Sequence, residues 1–150
     1  MRAWIVGLMA ASLVAVALAV AALVFLRPGD DTIVLDLDAG DCFQVPDDIA
    51  QATISKVDTI DCTKPHEAEV FATGELDPGR DQPYPDDEQQ LFARVDRQCT
   101  AVLAGHADLV DRFGVLPVVA DERSWESYRG RYVCVAIPYG GGTTQGSLGL

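Results

Sequence analysis

Cys62, His66 and Glu69 fall within a single stretch, Asp61-Cys62-Thr63-Lys64-Pro65-His66-Glu67-Ala68-Glu69, and bring the side chains of this chain best suited to chemistry close together. A thiolate, an imidazole and a carboxylate could seat a metal ion, but a structural zinc site takes four ligands, commonly in close Cys or His pairs. Only His106 is available as another histidine, and Cys42, Cys62, Cys99 and Cys134 form no CxxC pair. No metal and no cofactor are therefore expected. A Cys-His nucleophile would need a free, low-pKa thiolate. Ser55 or Ser124 with His66 and an acid could be written as a triad, but there is no GxSxG elbow to present the serine. No catalytic residue is assigned. Pro65-His66-Glu67 reads as a rigid turn, in which the proline keeps Lys64 extended and His66 hydrogen-bonds locally. Trp125 reads as an aromatic of the core or of the domain edge. Pro65, His66, Glu69 and Trp125 are carried forward as a candidate binding or structural motif.

The first residues decide where such a motif would operate. From Ala3 to Leu26 no side chain is charged. A helix of that length reaches roughly 36 Å, enough for a hydrocarbon core of about 30 Å. A cleavable signal peptide competes, through Arg2 and Ala17-Leu18-Ala19. Cutting there would leave Val20 to Leu26 as an apolar stub, however, and the run exceeds an ordinary h-region. The reading is an uncleaved anchor over residues 1–27. Arg2 and Arg27 nearly balance the positive-inside rule. All four cysteines follow the anchor, and an even count suits disulfides in an oxidising compartment. That puts the N-terminus in the cytoplasm and the remainder outside a cell membrane crossed once. Four cysteines allow three connectivities, and their spacing does not choose among them.

Lys and Arg number 11 against 23 Asp and Glu, a formal charge of −12. Every acid lies from Asp30 onward. Nucleic acid is thereby not an expected partner, since binding phosphate requires clustered cations. The scarcity of lysine beside arginine, with abundant Ala, Val and Asp, is the usage of a GC-rich bacterial genome. About 100 residues beyond the anchor make one small domain with a modest core.

Residues 28–37 read as a linker opened by Arg27-Pro28-Gly29, with the domain over 38–137. Ala39-Gly40-Asp41 makes a turn into a short strand at Cys42-Phe43, closed by Pro46-Asp47-Asp48. Residues 68–76 are β-rich and are expected to pair with the segment before Cys62. Residues 77–85 form a Pro- and Gly-rich loop. A helix follows, with Asp86 as cap, Gln89 three positions on, and Gly105 as its stop. Leu91, Val95, Cys99, Val102 and Leu103 share its apolar face. A short helical piece at 107–113, a strand at 116–120, a turn or short helix holding Trp125 and a strand at 130–137 complete a small α+β domain. In the last strand Tyr132 and Cys134 share one face, with Val133 and Val135 on the other. The Gly-rich tail 138–150 has nothing to bury and is expected to be disordered.

The residues also resemble a known family. Gly40-Asp41-Cys42-Phe43, Val57-Asp58, Cys62-Thr63-Lys64-Pro65-His66-Glu67-Ala68-Glu69-Val70-Phe71, Tyr84-Pro85, Cys99, Trp125 and Gly130-Arg131 before Cys134 are similar to the septum formation domain family of actinobacteria, whose members are membrane-anchored or secreted. The Cys-x-x-Pro-His-x-x-Glu-Val portion is the most specific piece. The family's usual Gly-acid-Arg turn after the tryptophan is here Tyr128-Arg129-Gly130-Arg131. The resemblance implies a non-enzymatic envelope domain and favours pairing Cys42 with Cys62 and Cys99 with Cys134. The resulting expectation is a membrane-anchored extracytoplasmic binding or structural domain linked to septum formation or the cell envelope, with envelope or division proteins as partners. The competing expectations are an envelope enzyme acting on cell-wall polymer and a solute or metal sensor.

Overall fold

A computed structural model of the chain describes residues 31–46, 56–76 and 83–150. The expected anchor over 1–27, the first part of the linker, the turn at Asp47-Asp48 and most of the loop at 77–85 lie outside these residues. Among the described residues no helix is long and apolar enough to cross a membrane.

Six antiparallel strands make one sheet in the order β1-β3-β2-β4-β6-β5. These are β1 (Asp31–Ile33), β2 (Cys42–Phe43), β3 (Lys56–Ile60), β4 (Ala68–Glu75), β5 (Phe113–Val119) and β6 (Arg131–Pro138). The helices are α1 (Glu88–Ala104), α2 (Ala107–Val110) and α3 (Trp125–Tyr128), and a 3-10 turn spans Val34–Asp36. The domain is α+β, with one main helix, as its pattern of apolar residues implies.

The N-terminal boundary of the domain differs from the expected one. Residues 31–37 are part of the fold and not linker, because Val34, Leu35 and Leu37 are buried apolar side chains that a solvated segment could not carry. Arg131 fixes this segment to β6, its Nε donating to Leu35 O at 2.7 Å and its Nη2 to Leu37 O at 2.9 Å. The pairing of β4 differs too. β4 does not meet β3; β2 lies between them, with Cys42 opposite both Ile60 and Glu69. A strand of two residues is too short to announce itself by alternation, yet it bridges the two halves of the sheet.

The main helix is capped one residue later than expected. Asp87, not Asp86, accepts from Gln90 N at 2.9 Å. Leu91, Val95, Cys99 and Leu103 recur every fourth residue and are buried, whereas Val102 is 42 % exposed and leaves the apolar face. The stripe is narrow because α1 lies over edge strand β5 and covers the sheet from one side only. Cys99 and Cys134 are both fully buried and form a disulfide that ties α1 to β6. Pro117 is tolerated in β5 because that strand is an edge.

The corner after α3 needs two left-handed residues, Arg129 at φ 46° and Gly130 at φ 81°. An L side chain in that region costs about 1–2 kcal/mol, part of which a glycine gives back as unfolded-chain entropy. Arg129→Gly is expected to raise stability by about 0.5–1 kcal/mol in urea unfolding, and a fall of that size would contradict the account of this corner.

Candidate functional site

The register of the sheet assembles the site. Cys42 on β2 lies directly opposite Glu69 on β4, and antiparallel partners project their side chains from the same face. Just beyond β3, Cys62 closes a disulfide with Cys42, with Cα atoms 5.3 Å apart. The loop from Asp61 to His66 is thereby tied to β2. Asp61 shapes its first turn by accepting from Thr63 N at 2.9 Å and Thr63 Oγ1 at 2.8 Å. Those two bonds, the amide first, hold the Asp61 carboxyl below its ordinary value of 3.8. A lowered folded-state value means that the turn gains stability above the ordinary aspartate range and loses it as pH falls through the lowered value. The amide of Thr63 should therefore titrate by NMR with a midpoint below 3.8, and Thr63→Ala should bring the Asp61 midpoint back towards it; an unchanged midpoint would contradict this assignment.

Pro65 is exposed, and its carbonyl accepts from Gln44 Nε2 at 3.0 Å. His66 follows and is entirely buried. Its Nδ1 lies 2.9 Å from Lys64 O. A carbonyl can only accept, so Nδ1 carries the proton and donates it. The other ring nitrogen, Nε2, is buried without a hydrogen-bond partner and faces Glu69 Oε2 at 3.9 Å. Glu69 is itself only 2 % exposed. The local hydrogen bond expected of His66 is present, but it accounts for only half of the ring.

The groups that remain are taken by the C-terminal segment. His66 N donates to Thr144 O at 2.9 Å and Thr144 N to His66 O at 2.7 Å, an isolated antiparallel bridge. Gln145 Nε2 donates to Thr63 O at 2.7 Å, and Gly146 N to Cys62 O at 2.7 Å. Ser147 Oγ donates to Glu69 Oε1 at 2.7 Å, and Leu148 N is shared between Oε1 at 3.0 Å and Oε2 at 2.9 Å. Leu148 also packs on the core. Residues 144–148 thus form a strap, bonded at every position to the Cys62–Glu69 loop. This corrects the expectation of a disordered tail. Composition alone suggested a segment with nothing to bury, but backbone donors can be satisfied by a carboxylate and loop carbonyls far away in sequence.

The expected site residues fall in three places. Cys42, Cys62, His66 and Glu69 come together with Pro65 at the edge of the cluster. Cys99 and Cys134 lie in the core beneath α1. Trp125 stands apart from both, buried in α3 with its ring at 82° to that of Tyr84, centroids 5.4 Å apart. Neither Cys42 as the third member of the cluster nor Ser147 and Leu148 as its cover is legible from spacing; the four-residue step from Cys62 to His66 points to only one of two bonded sulfurs. The ligand-capable atoms of Cys42, His66 and Glu69 all lie within 4.8 Å of one another. None of the four cysteines is free.

The family described as septum formation matches this chain over residues 35–141. Cys42 and the Cys62–Glu69 loop fall inside that match and the strap residues Thr144–Leu148 fall outside it. No curated protein and no solved structure matches the chain.

Proposed function

The chain belongs to the septum formation family, a description that suggests a role related to cell division or the envelope, and from that premise we propose that it is a non-catalytic binding domain that seats extended polypeptide on the Cys62–Glu69 loop. One observation carries this reading: the polar groups of the most specific part of the sequence, His66 N–H and C=O, Cys62 O, Thr63 O and the Glu69 carboxylate, are all spent on holding the segment 144–148, which pairs with His66 as a β-bridge at Thr144. Main-chain pairing supplies affinity in such a mode, and side chains at chosen positions supply selectivity. The strap itself describes the fitting partner: a hydroxyl residue, a glycine able to take φ near 88°, a second hydroxyl residue and an apolar one.

The non-catalytic reading is supported by the burial of His66 and by the pairing of every cysteine, which leave no exposed imidazole in the motif and no thiolate. The apolar run at 3–26 supports attachment to a membrane with the domain on its outer side, among envelope or division proteins as partners. The acidic charge speaks against nucleic acid.

The test is site-specific photo-crosslinking in intact cells from position 63, which is exposed beside the strap, with the full chain fused to a fluorescent reporter. The expected result is a discrete crosslinked envelope protein, stronger when Gly146→Pro frees the seat, and signal enriched at septa. Uniform membrane signal with no crosslink from either chain would overturn the proposal.

A further inference from the structure

The seat contains atoms that the strap does not use, and they point to a second kind of ligand. His66 Nε2 is fully buried, has no hydrogen-bond partner, and faces Glu69 Oε2 across 3.9 Å. Its tautomer is fixed by the bond from Nδ1 to Lys64 O at 2.9 Å. This is the arrangement of a metal-ligating histidine, whose second nitrogen donates to a backbone carbonyl while the first presents its lone pair. A third ligand atom, Cys42 Sγ, lies in the same cluster, and Cys62 Sγ is bonded to it at 2.02 Å. While the two sulfurs are joined, neither is a thiolate, and the cluster offers only two strong ligands.

We propose that opening the Cys42–Cys62 disulfide creates a zinc site of Cys42, Cys62, His66 and Glu69, so that the seat is a redox-masked metal centre. The step requires a dithiol reductant. A thiolate of the reductant attacks Cys62 Sγ, the partly exposed sulfur residue of the pair, and Cys42 leaves as thiolate. The second thiol of the reductant then displaces Cys62, so that two electrons and two protons pass to the protein and the reductant closes into a disulfide. Zinc binds the two thiolates as their protons leave to solvent. Two sulfurs, one imidazole and one carboxylate supply four ligands, each of a kind that zinc takes. The Cys99–Cys134 pair is fully buried and stays closed. Glu69 can serve both ligands, with Oε1 remaining on Ser147 and Leu148 while Oε2 meets the metal. The inference shares the Glu69 carboxylate with the peptide-seat reading, but it stands on His66 Nε2 and on the two bonded sulfurs, which the strap does not touch, so either can fail alone.

The test uses the full chain in detergent, oxidised or reduced anaerobically with a phosphine, which takes oxygen from water as it opens the disulfide and does not itself offer thiols to the metal. Cobalt(II) is titrated as a spectroscopic stand-in for zinc, and zinc is then used to displace it. The reduced chain should bind one cobalt with thiolate-to-cobalt charge-transfer absorption and tetrahedral ligand-field bands, and the oxidised chain should show neither. His66→Asn and Glu69→Gln should each weaken binding at least tenfold, since even outer-sphere partners of a metal site are worth about 10–100-fold. Absence of binding by the reduced chain would overturn the proposal. So would binding that is unchanged in both variants, which would mark adventitious capture by thiols. Circular dichroism of each reduced chain, compared with its oxidised form, tells a lost site from a lost fold: a reduced chain that keeps its spectrum and binds no metal refutes the site, and one that regains its spectrum on adding zinc supports it.

Discussion

Replacing Cys99 and Cys134 together by alanine should lower the stability of the domain by about 4 kcal/mol and its melting temperature by roughly 15 °C. The bond closes 35 residues of sequence, and in the chain-entropy account a loop of that size restricts the unfolded state by about this much. Its place in the fold makes the loss hard to absorb. Cys99 is one of four residues by which α1 reaches the core, and Cys134 sits in the middle of β6, where four successive residues are buried. Net stabilities of single domains run to about 5–15 kcal/mol, so the loss is a large share of the whole. Thermal unfolding of the oxidised protein and of the variant measures the difference. A shift of less than about 3 °C would mean that the helix is held to the sheet by its apolar contacts alone. The Cys42–Cys62 bond closes 20 residues, and its loss should cost less, about 3 kcal/mol.

The second large effect is expected at Glu69. Its carboxylate receives both Ser147 Oγ–H and Leu148 N–H, and a hydrogen bond to a charged group contributes about 1.5–3 kcal/mol. Glu69→Ala removes both acceptors, so the equilibrium between seated and released strap should shift by about a hundredfold or more, reckoned at tenfold per 1.4 kcal/mol for the lower end of that range. Amide exchange of residues 144–148 reads this directly. Thr144, Gly146 and Leu148 should lose protection by that factor, while the amides of β4 and β6 keep theirs, since β4 retains its pairing with β6 along most of its length. Equal loss in the sheet would show that Glu69 supports the core as a whole, and unchanged protection in the strap would show that the carboxylate does not hold it.

Most of the architecture was legible because it follows from local rules. Leu91, Val95, Cys99 and Leu103 recur at a spacing that only a helix buries on one side. Residues 68–75 and 131–138 are rich in residues that suit a strand and are bounded by turns. Both disulfides join the pairs that the family resemblance favoured. What escaped were features decided at a distance. β2 is two residues long and owes its existence to Ile60 and Glu69 on either side. Val34, Leu35 and Leu37 read as the end of a linker because Arg131, which donates to the carbonyls of Leu35 and Leu37 and fixes the segment to β6, stands nearly a hundred residues later. The strap was the largest such miss. Gly-rich sequence carries no apolar period, and its order comes from a buried carboxylate and the carbonyls of a disulfide-bonded loop. The same cause hid half of the site, for Cys42 meets His66 and Glu69 only through strand register.

On the reading proposed above, the Cys62–Glu69 loop is a seat for extended polypeptide and not merely a turn with a tail resting on it. The most direct measurement frees the seat without altering it. Gly146 sits at φ 88° and donates its amide to Cys62 O; proline, confined to φ near −65° and lacking the amide hydrogen, can do neither. A synthetic peptide of residues 142–150 is then added to the full Gly146→Pro chain in detergent and followed by NMR. The account predicts shifts at the amides of Cys62, Thr63, His66 and Glu69 that saturate with peptide, that are absent from the wild-type chain, whose own tethered strap holds the seat at high effective concentration, and that are lost again when Glu69→Ala is added. Absence of any shift in the Gly146→Pro chain, or shifts of equal size in the wild-type chain, would contradict it.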